Sequence, residues 1–331
     1  MSSLDEVPFL HYQELIEEIK DKNILIHDEL HAKLDLKNHS YYTLLNGYKR
    51  YFLEDGQTDR MIEGTTFDDF TDTYYLYSDI SSLVFKYILY IEKSLRSRLA
   101  HIVAREFGVY RQEYLFGKNY IDYKNLRYRT LNNITDLIDN CKETSVTHYF
   151  KHSKKNVPPW IVVQDISFND TISWANILPK NLKEELLKDY FSNSLLYKEF
   201  HEAFFHHSFN FLREYRNIAA HGKRDFKEKI RNYLHRESSK HFFGETLLSQ
   251  RDLHKNRGTQ DLLGVINLIL KYTQDKKLLH KFLAEFILIL SPYVNMNDYS
   301  ANVYINGMTV YEILDLPENI MERVSKYLAS V

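Results

Sequence analysis

The chain has 331 residues, of which 44% are hydrophobic and 27% charged, enough to bury one large core or two ordinary ones. A net charge of −2 excludes binding to nucleic acid through overall charge alone, and 10 glycines and 6 prolines argue against a turn-rich all-β fold. A single cysteine, Cys141, excludes an intramolecular disulfide and a multi-cysteine metal site, and it suits a reducing cytosol.

In chain order, the spacing of apolar residues predicts helices over 9–22 and 24–36. An aromatic and polar stretch follows, 38–48, read as a short helix with loops; Asp55-Gly56 reads as a turn. Thr65-Thr66-Phe67-Asp68-Asp69 has the form of a helix start, with hydroxyl caps followed by acids in the first turn. The longest clear helix is expected over 79–107, where residues from Ile80 to Val103 keep helical spacing and Gly108 ends it. Glu92 and Arg96 stand four apart there and are able to pair with each other or with a neighbouring helix. Further helices are predicted over 121–140, 160–166, 169–177 and 181–191, with a basic connector at 151–155 and a break at Val157-Pro158-Pro159-Trp160. A central helix is expected from about Ser194 to His221. Beyond it come a basic stretch to about Gln260, apolar helices over 260–273 and 278–290, a small Asn-Gly hairpin at 303–310, and a last helix over 317–329. The fold class is therefore all-α, with one small hairpin near the C-terminus.

The central helix carries the candidate chemistry. At 100° per residue, Phe205, Phe209, Leu212 and Ala219 share one face, and Phe204, Phe211, Tyr215 and Ile218 another. Between them runs a polar strip of His206, His207, Asn210, Arg213, Glu214, Asn217 and His221. A surface helix ordinarily has one apolar stripe, so this one is expected to be gripped on two sides. Arg216 falls among apolar residues, where an unpaired guanidinium is costly, and its long stem is expected to turn the head toward the strip, near His221. A cation, an amide and an imidazole at one helix end suit a phosphate and a proton transfer. The spacing alone is not specific: Arg96 to His101 and Arg236 to His241 repeat it. The plain alternative is a helix end at which His221 caps free carbonyls and Arg216 pairs with a carboxylate.

Two basic patches fit phosphate contact. The first holds Lys93, Arg96, Arg98, Arg105 and Arg111; the second holds Lys223, Arg224, Lys227, Lys229, Arg231 and Arg236. The pair His201 and His206 stands five apart rather than four, so it fails the zinc-protease pattern, and neither a phosphate loop nor a nucleophile elbow occurs. No metal and no cofactor is expected. The opening residues carry no basic-then-apolar signal, and the run Phe286 to Leu290 is too short to span a membrane, so a cytoplasmic protein without a membrane partner is expected.

Several ordered segments resemble the Abi-like AbiD/AbiF abortive-infection proteins of bacteria. They are Asn38-His39-Ser40-Tyr41-Tyr42 with Asn46-Gly47-Tyr48; Gly64 to Asp69; Ile91 to Leu99; Val157 to Val162 followed by Ser167-Phe168; and Leu212 to His221. That family is similar to the HEPN superfamily of helical domains, whose Arg-x-x-x-x-His motif cleaves RNA without metal. The resemblance implies a HEPN-like core over 66–236, between an N-terminal helical region over 1–65 and a C-terminal one over 237–331. It implies Arg216, Asn217 and His221 as catalytic residues, with Glu92, Arg96 and Arg213 supporting them and Arg98, Lys223, Arg224 and Lys227 touching RNA. It further implies a toxic endoribonuclease of antiphage defence that leaves a 2′,3′-cyclic phosphate and a free 5′-hydroxyl. HEPN sites are commonly shared between two domains, so a homodimer is expected, held silent by a cognate small RNA or another partner; DNA is not required. The alternatives are a non-catalytic RNA-binding or assembly module and, third, a nucleotide transferase.

Overall fold

The computed structural model describes residues 9–54, 56–192, 194–220, 230–305 and 307–330. Helices joined by turns and loops dominate them; besides isolated β-bridges there is a two-stranded antiparallel hairpin, Val303–Ile305 with Met308–Thr309, in which Gly307 supplies a φ of 78°. Two compact units form. The first takes residues up to Ser82 together with Glu285–Met321; the second takes Leu83 to the end of the central helix, 230–284, and residues from Glu322 onward.

The longest helix runs Phe67–Phe107, beginning at the Thr66 cap rather than at 79. Thr66 and Asp69 bond each other's backbone amides, Asp69 Oδ2 from Thr66 N at 2.8 Å and Thr66 Oγ1 from Asp69 N at 3.2 Å. The helix start at Thr66 and the helix expected over 79–107 are one element, because Phe70, Leu76 and Tyr77 bury on the helical repeat between them. Thr71 and Thr73 turn their hydroxyls back onto the carbonyls of Asp68 and Asp69, at 3.0 and 2.7 Å. Gly108, at φ 94°, ends it in the left-handed conformation.

In the first unit, helices Tyr12–Asp21 and Glu29–His39 pack together. The second begins later than expected because Asp28 caps Leu30 and His31, while Leu25 pairs through its backbone with Thr65 and Phe67. Tyr77 donates its hydroxyl to the Ile313 carbonyl at 2.9 Å, closing this core.

The second unit is built around helix Leu262–Tyr272, buried along nearly its whole length. A chain of bonds orders its other side: Trp174 Nε1 donates to Tyr120 Oη at 3.0 Å, Tyr120 to the Tyr114 carbonyl at 2.6 Å, and Tyr114 to the Val157 carbonyl at 2.7 Å. Among the described residues no helix is long and apolar enough to cross a membrane, and no group of three or more His, Cys, Asp or Glu side chains is placed to hold a metal ion.

Candidate active site on the central helix

The central helix runs His201–Ala220. It starts later than expected because local polar bonds compete with it: Ser194 Oγ accepts from the Leu196 amide at 3.0 Å, and the His201 ring meets the Leu196 carbonyl at 2.8 Å. Two-sided burial holds it. Phe204, Phe205, Phe209, Phe211, Leu212 and Tyr215 are all buried. Phe209 stacks on Tyr272 with centroids 4.9 Å apart, and Phe204 lies 4.7 Å from Phe242. At about 1.5–3 kcal/mol for each such side chain, the grip fixes both the position and the rotation of the helix.

That rotation places Arg216 against the long helix. Its Nη2 lies 3.4 Å from Glu92 Oε2, and its Nη1 donates to Asn217 Oδ1 at 3.0 Å. Glu92 is 3% exposed. Its other oxygen accepts from Arg96 Nη2 at 2.5 Å, and the same guanidinium donates to the carbonyls of Ile166, at 2.7 Å, and Gln164, at 3.2 Å. One carboxylate thus serves two guanidiniums, and among the described residues no second carboxylate pairs with either. The Nε atoms of Arg96 and Arg216 are both buried without an acceptor among the described residues, an arrangement of some cost that the ion pairs must offset.

Arg213 lies on the polar strip and donates from Nε to Asn210 Oδ1 at 3.3 Å; no carboxylate pairs with it among the described residues. Glu214 accepts from the backbone amides of Arg231 and Asn232 at 2.9 and 3.1 Å, tying the chain that follows back to the helix. Sequence reasoning left this clamp out, although an acid on the strip was its one signal.

The expected site residues divide into three groups. Glu92, Arg96, Arg216 and Asn217 come together, and Arg213 sits one turn before Asn217. Arg98 is drawn elsewhere: it pairs with Asp189 and Gln274, and its guanidinium lies 5.1 Å over the Tyr190 ring, so the charge expected to meet RNA is already engaged. His221, Lys223, Arg224 and Lys227 lie outside the described residues. The guanidinium of Arg216 does bend toward the strip, through Asn217, but its charge is met by the buried carboxylate.

The fold is thus of the all-α class, and it brings two arginines and one carboxylate together between the long helix and the central helix. Residues 35–227 match the Abi-like protein family; this is more than half of the chain, and the chain belongs to that family, whose membership implies a part in abortive-infection defence. No curated protein and no solved structure matches it.

Proposed function

We propose that this protein is a metal-independent RNA endonuclease of the HEPN type, acting as a toxin in abortive-infection defence. The observation that supports it most is the half-buried Arg216 guanidinium, set by Glu92 and Asn217 in the last part of the central helix, five residues before His221. In this reading an RNA 2′-oxygen attacks the adjacent phosphorus and the bond to the 5′-oxygen breaks. One imidazole takes the 2′-hydroxyl proton and a second gives a proton to the leaving 5′-oxygen, so two copies of His221 in a homodimer complete the site. An ordinary imidazole pKa of about 6.5 suits both roles near neutral pH. Arg216 carries the phosphate and its developing charge, Asn217 orients the imidazole or the phosphate, and Arg96 and Arg213 add positive field. Lys223, Arg224 and Lys227 contact the RNA backbone, and a cognate small RNA or another partner holds the toxin silent in the cytoplasm.

The test is incubation of the purified protein with labelled RNA in the presence of a chelator. Cleavage ending in a 2′,3′-cyclic phosphate is expected, lost in Arg216→Ala and in His221→Ala. Full activity in a well-folded His221→Ala protein would overturn the reading.

A second reading is a non-catalytic RNA-binding module. Its support is the same pair, Arg216 with Glu92, taken as an ion pair that holds two helices together. It expects salt-sensitive RNA binding without scission, retained in His221→Ala.

A further inference from the structure

Helices Arg127–Asp139, Phe168–Asn176 and the central helix leave between them a notch of about 170 Å³. Its walls include Arg129, Asn133, Asp170, Ser173, His206 and Asn210. Leu126 and Ile172 add an apolar part to this mostly polar wall, and its chemistry selects against a phosphate. The Asp170 carboxylate, which accepts from Asn133 Nδ2 at 2.9 Å and from the Ser167 hydroxyl at 2.7 Å, repels anions. His206 brings no compensating charge. Its Nδ1 meets Asn176 Nδ2 at 3.1 Å, which assigns the ring proton to Nε2. Burial, aided by the positive charge of Lys124 and by His207, pushes its pKa down to about 4. The imidazole is therefore a neutral donor at physiological pH, set beside amides and a carboxylate acceptor. A planar, uncharged ring with donors and acceptors along its edge matches that pattern, as an unstacked nucleobase does. Arg129, exposed at the margin, offers a planar guanidinium for a base to stack on.

The notch is joined to the candidate active site. His206, Asn210, Arg213 and Asn217 recur at intervals of four, three and four residues, which brings them within about 60° of one another on the helix. Asn210 connects the two ends, donating to the His206 carbonyl at 2.8 Å and accepting from Arg213. From His206 to Arg216 the helix rises about 15 Å, a few nucleotides of an RNA strand.

We propose that this notch takes one unpaired base of the RNA strand whose backbone lies at Arg216, and thereby selects the linkage that is cut. The proposal rests on the ribonuclease reading above, and two experiments on the full-length protein separate them. In the first, a random single-stranded RNA pool is cleaved and the new ends are sequenced. A base preference at a fixed offset from the cut is expected. It should fall at least fivefold in Ser173→Phe, which fills the notch, and in Asn133→Ala, an exposed position whose truncation leaves the packing intact. In the second, the four free nucleosides are titrated by saturation-transfer NMR; one is expected to bind, and to be lost in Ser173→Phe. Circular dichroism confirms that both variants fold.

An offset preference that the variants weaken upholds the notch, whether or not a free nucleoside is held. Nucleoside binding lost in Ser173→Phe, in a protein that cuts no RNA, also upholds it and rejects the ribonuclease reading. Scission whose base preference neither variant alters, with no nucleoside bound, overturns the notch alone. An altered oligomeric state in Ser173→Phe without nucleoside binding or changed preference assigns the notch to a protein contact and overturns the proposal. Neither scission nor nucleoside binding overturns both.

Discussion

Glu92 holds Arg96 at 2.5 Å through one carboxylate oxygen and Arg216 at 3.4 Å through the other. The two arginines sit on different helices, so one buried acid joins the long helix to the central one. Removing the acid leaves two guanidiniums facing each other in a poorly hydrated place. Glu92→Ala is expected to cost about 2–4 kcal/mol, a little less than a fully buried pair because the arginine side chains are 17% and 29% exposed. Glu92→Gln keeps the shape and removes only the charge, so its cost should be about half as large. Urea denaturation at neutral pH measures both. RNA cleavage, where it occurs, should fall at least tenfold in Glu92→Gln because Arg216 loses what aims it; unchanged stability and cleavage would remove Glu92 from the site.

Arg98 separates the structural role of an arginine from an RNA contact. It is held by Asp189, Gln274 and the face of Tyr190. Arg98→Ala should lower stability by about 1 kcal/mol, the size of a partly exposed ion pair with a cation–π contact. RNA affinity, measured across a salt series, should stay within twofold with its slope unchanged. A slope reduced by about one would return Arg98 to the RNA interface.

How much of this was legible beforehand follows from what each signal depends on. The helices were readable because burial on one face repeats every three or four residues; the cap at Thr66 was readable as a helix start, but not as the start of the long helix expected from 79. Two-sided burial of the central helix was legible too, since Phe204 and Phe205 with Phe209, Phe211 and Leu212 leave only a narrow polar strip. Helix ends were less legible: Leu196 and Asp28 show that side chains bonding to nearby backbone decide them, and such bonds have no period. Tertiary pairing was least legible. Glu92 and Arg216 are 124 residues apart, and Arg98 and Asp189 are 91 apart. Nothing local indicates such partners; the four-residue spacing marked Glu92 and Arg96 as a pair, but not which residue of a neighbouring helix would join them.

Lys183 is an ammonium that the fold has almost fully enclosed, at 1% exposure. It donates to Glu202 at 3.0 Å and lies 5.0 Å over the Tyr123 ring. The two sides of this pair should respond unequally. Glu202→Ala leaves the enclosed ammonium unpaired and is expected to cost about 2–4 kcal/mol. Lys183→Met replaces the ammonium by an apolar chain of similar volume and should change stability by less than about 1 kcal/mol in either direction. Thermal and urea unfolding of the two single variants compares them directly. An equal loss in both would mean that the ion pair, rather than the enclosed stem, stabilises this part of the second unit.

His206 makes stability depend on pH in a definite direction. In the folded protein burial holds its pKa at about 4, and His207 is lowered for the same reason; in the unfolded chain both return to about 6.5. Between those values the unfolded chain binds more protons than the folded one. Stability is therefore fully present above about pH 6.5, falls as the pH drops from there toward 4, and levels off below. His206 remains partly open to solvent, and with that screening its share of the loss should be about 1–2 kcal/mol rather than the full value of the shift. Urea denaturation at pH 7 and pH 5 measures the difference. His206→Gln, which keeps a polar group beside Asn176 but cannot take up a proton, should shrink it by at least half. An undiminished difference in that variant would place the acid sensitivity elsewhere in the second unit.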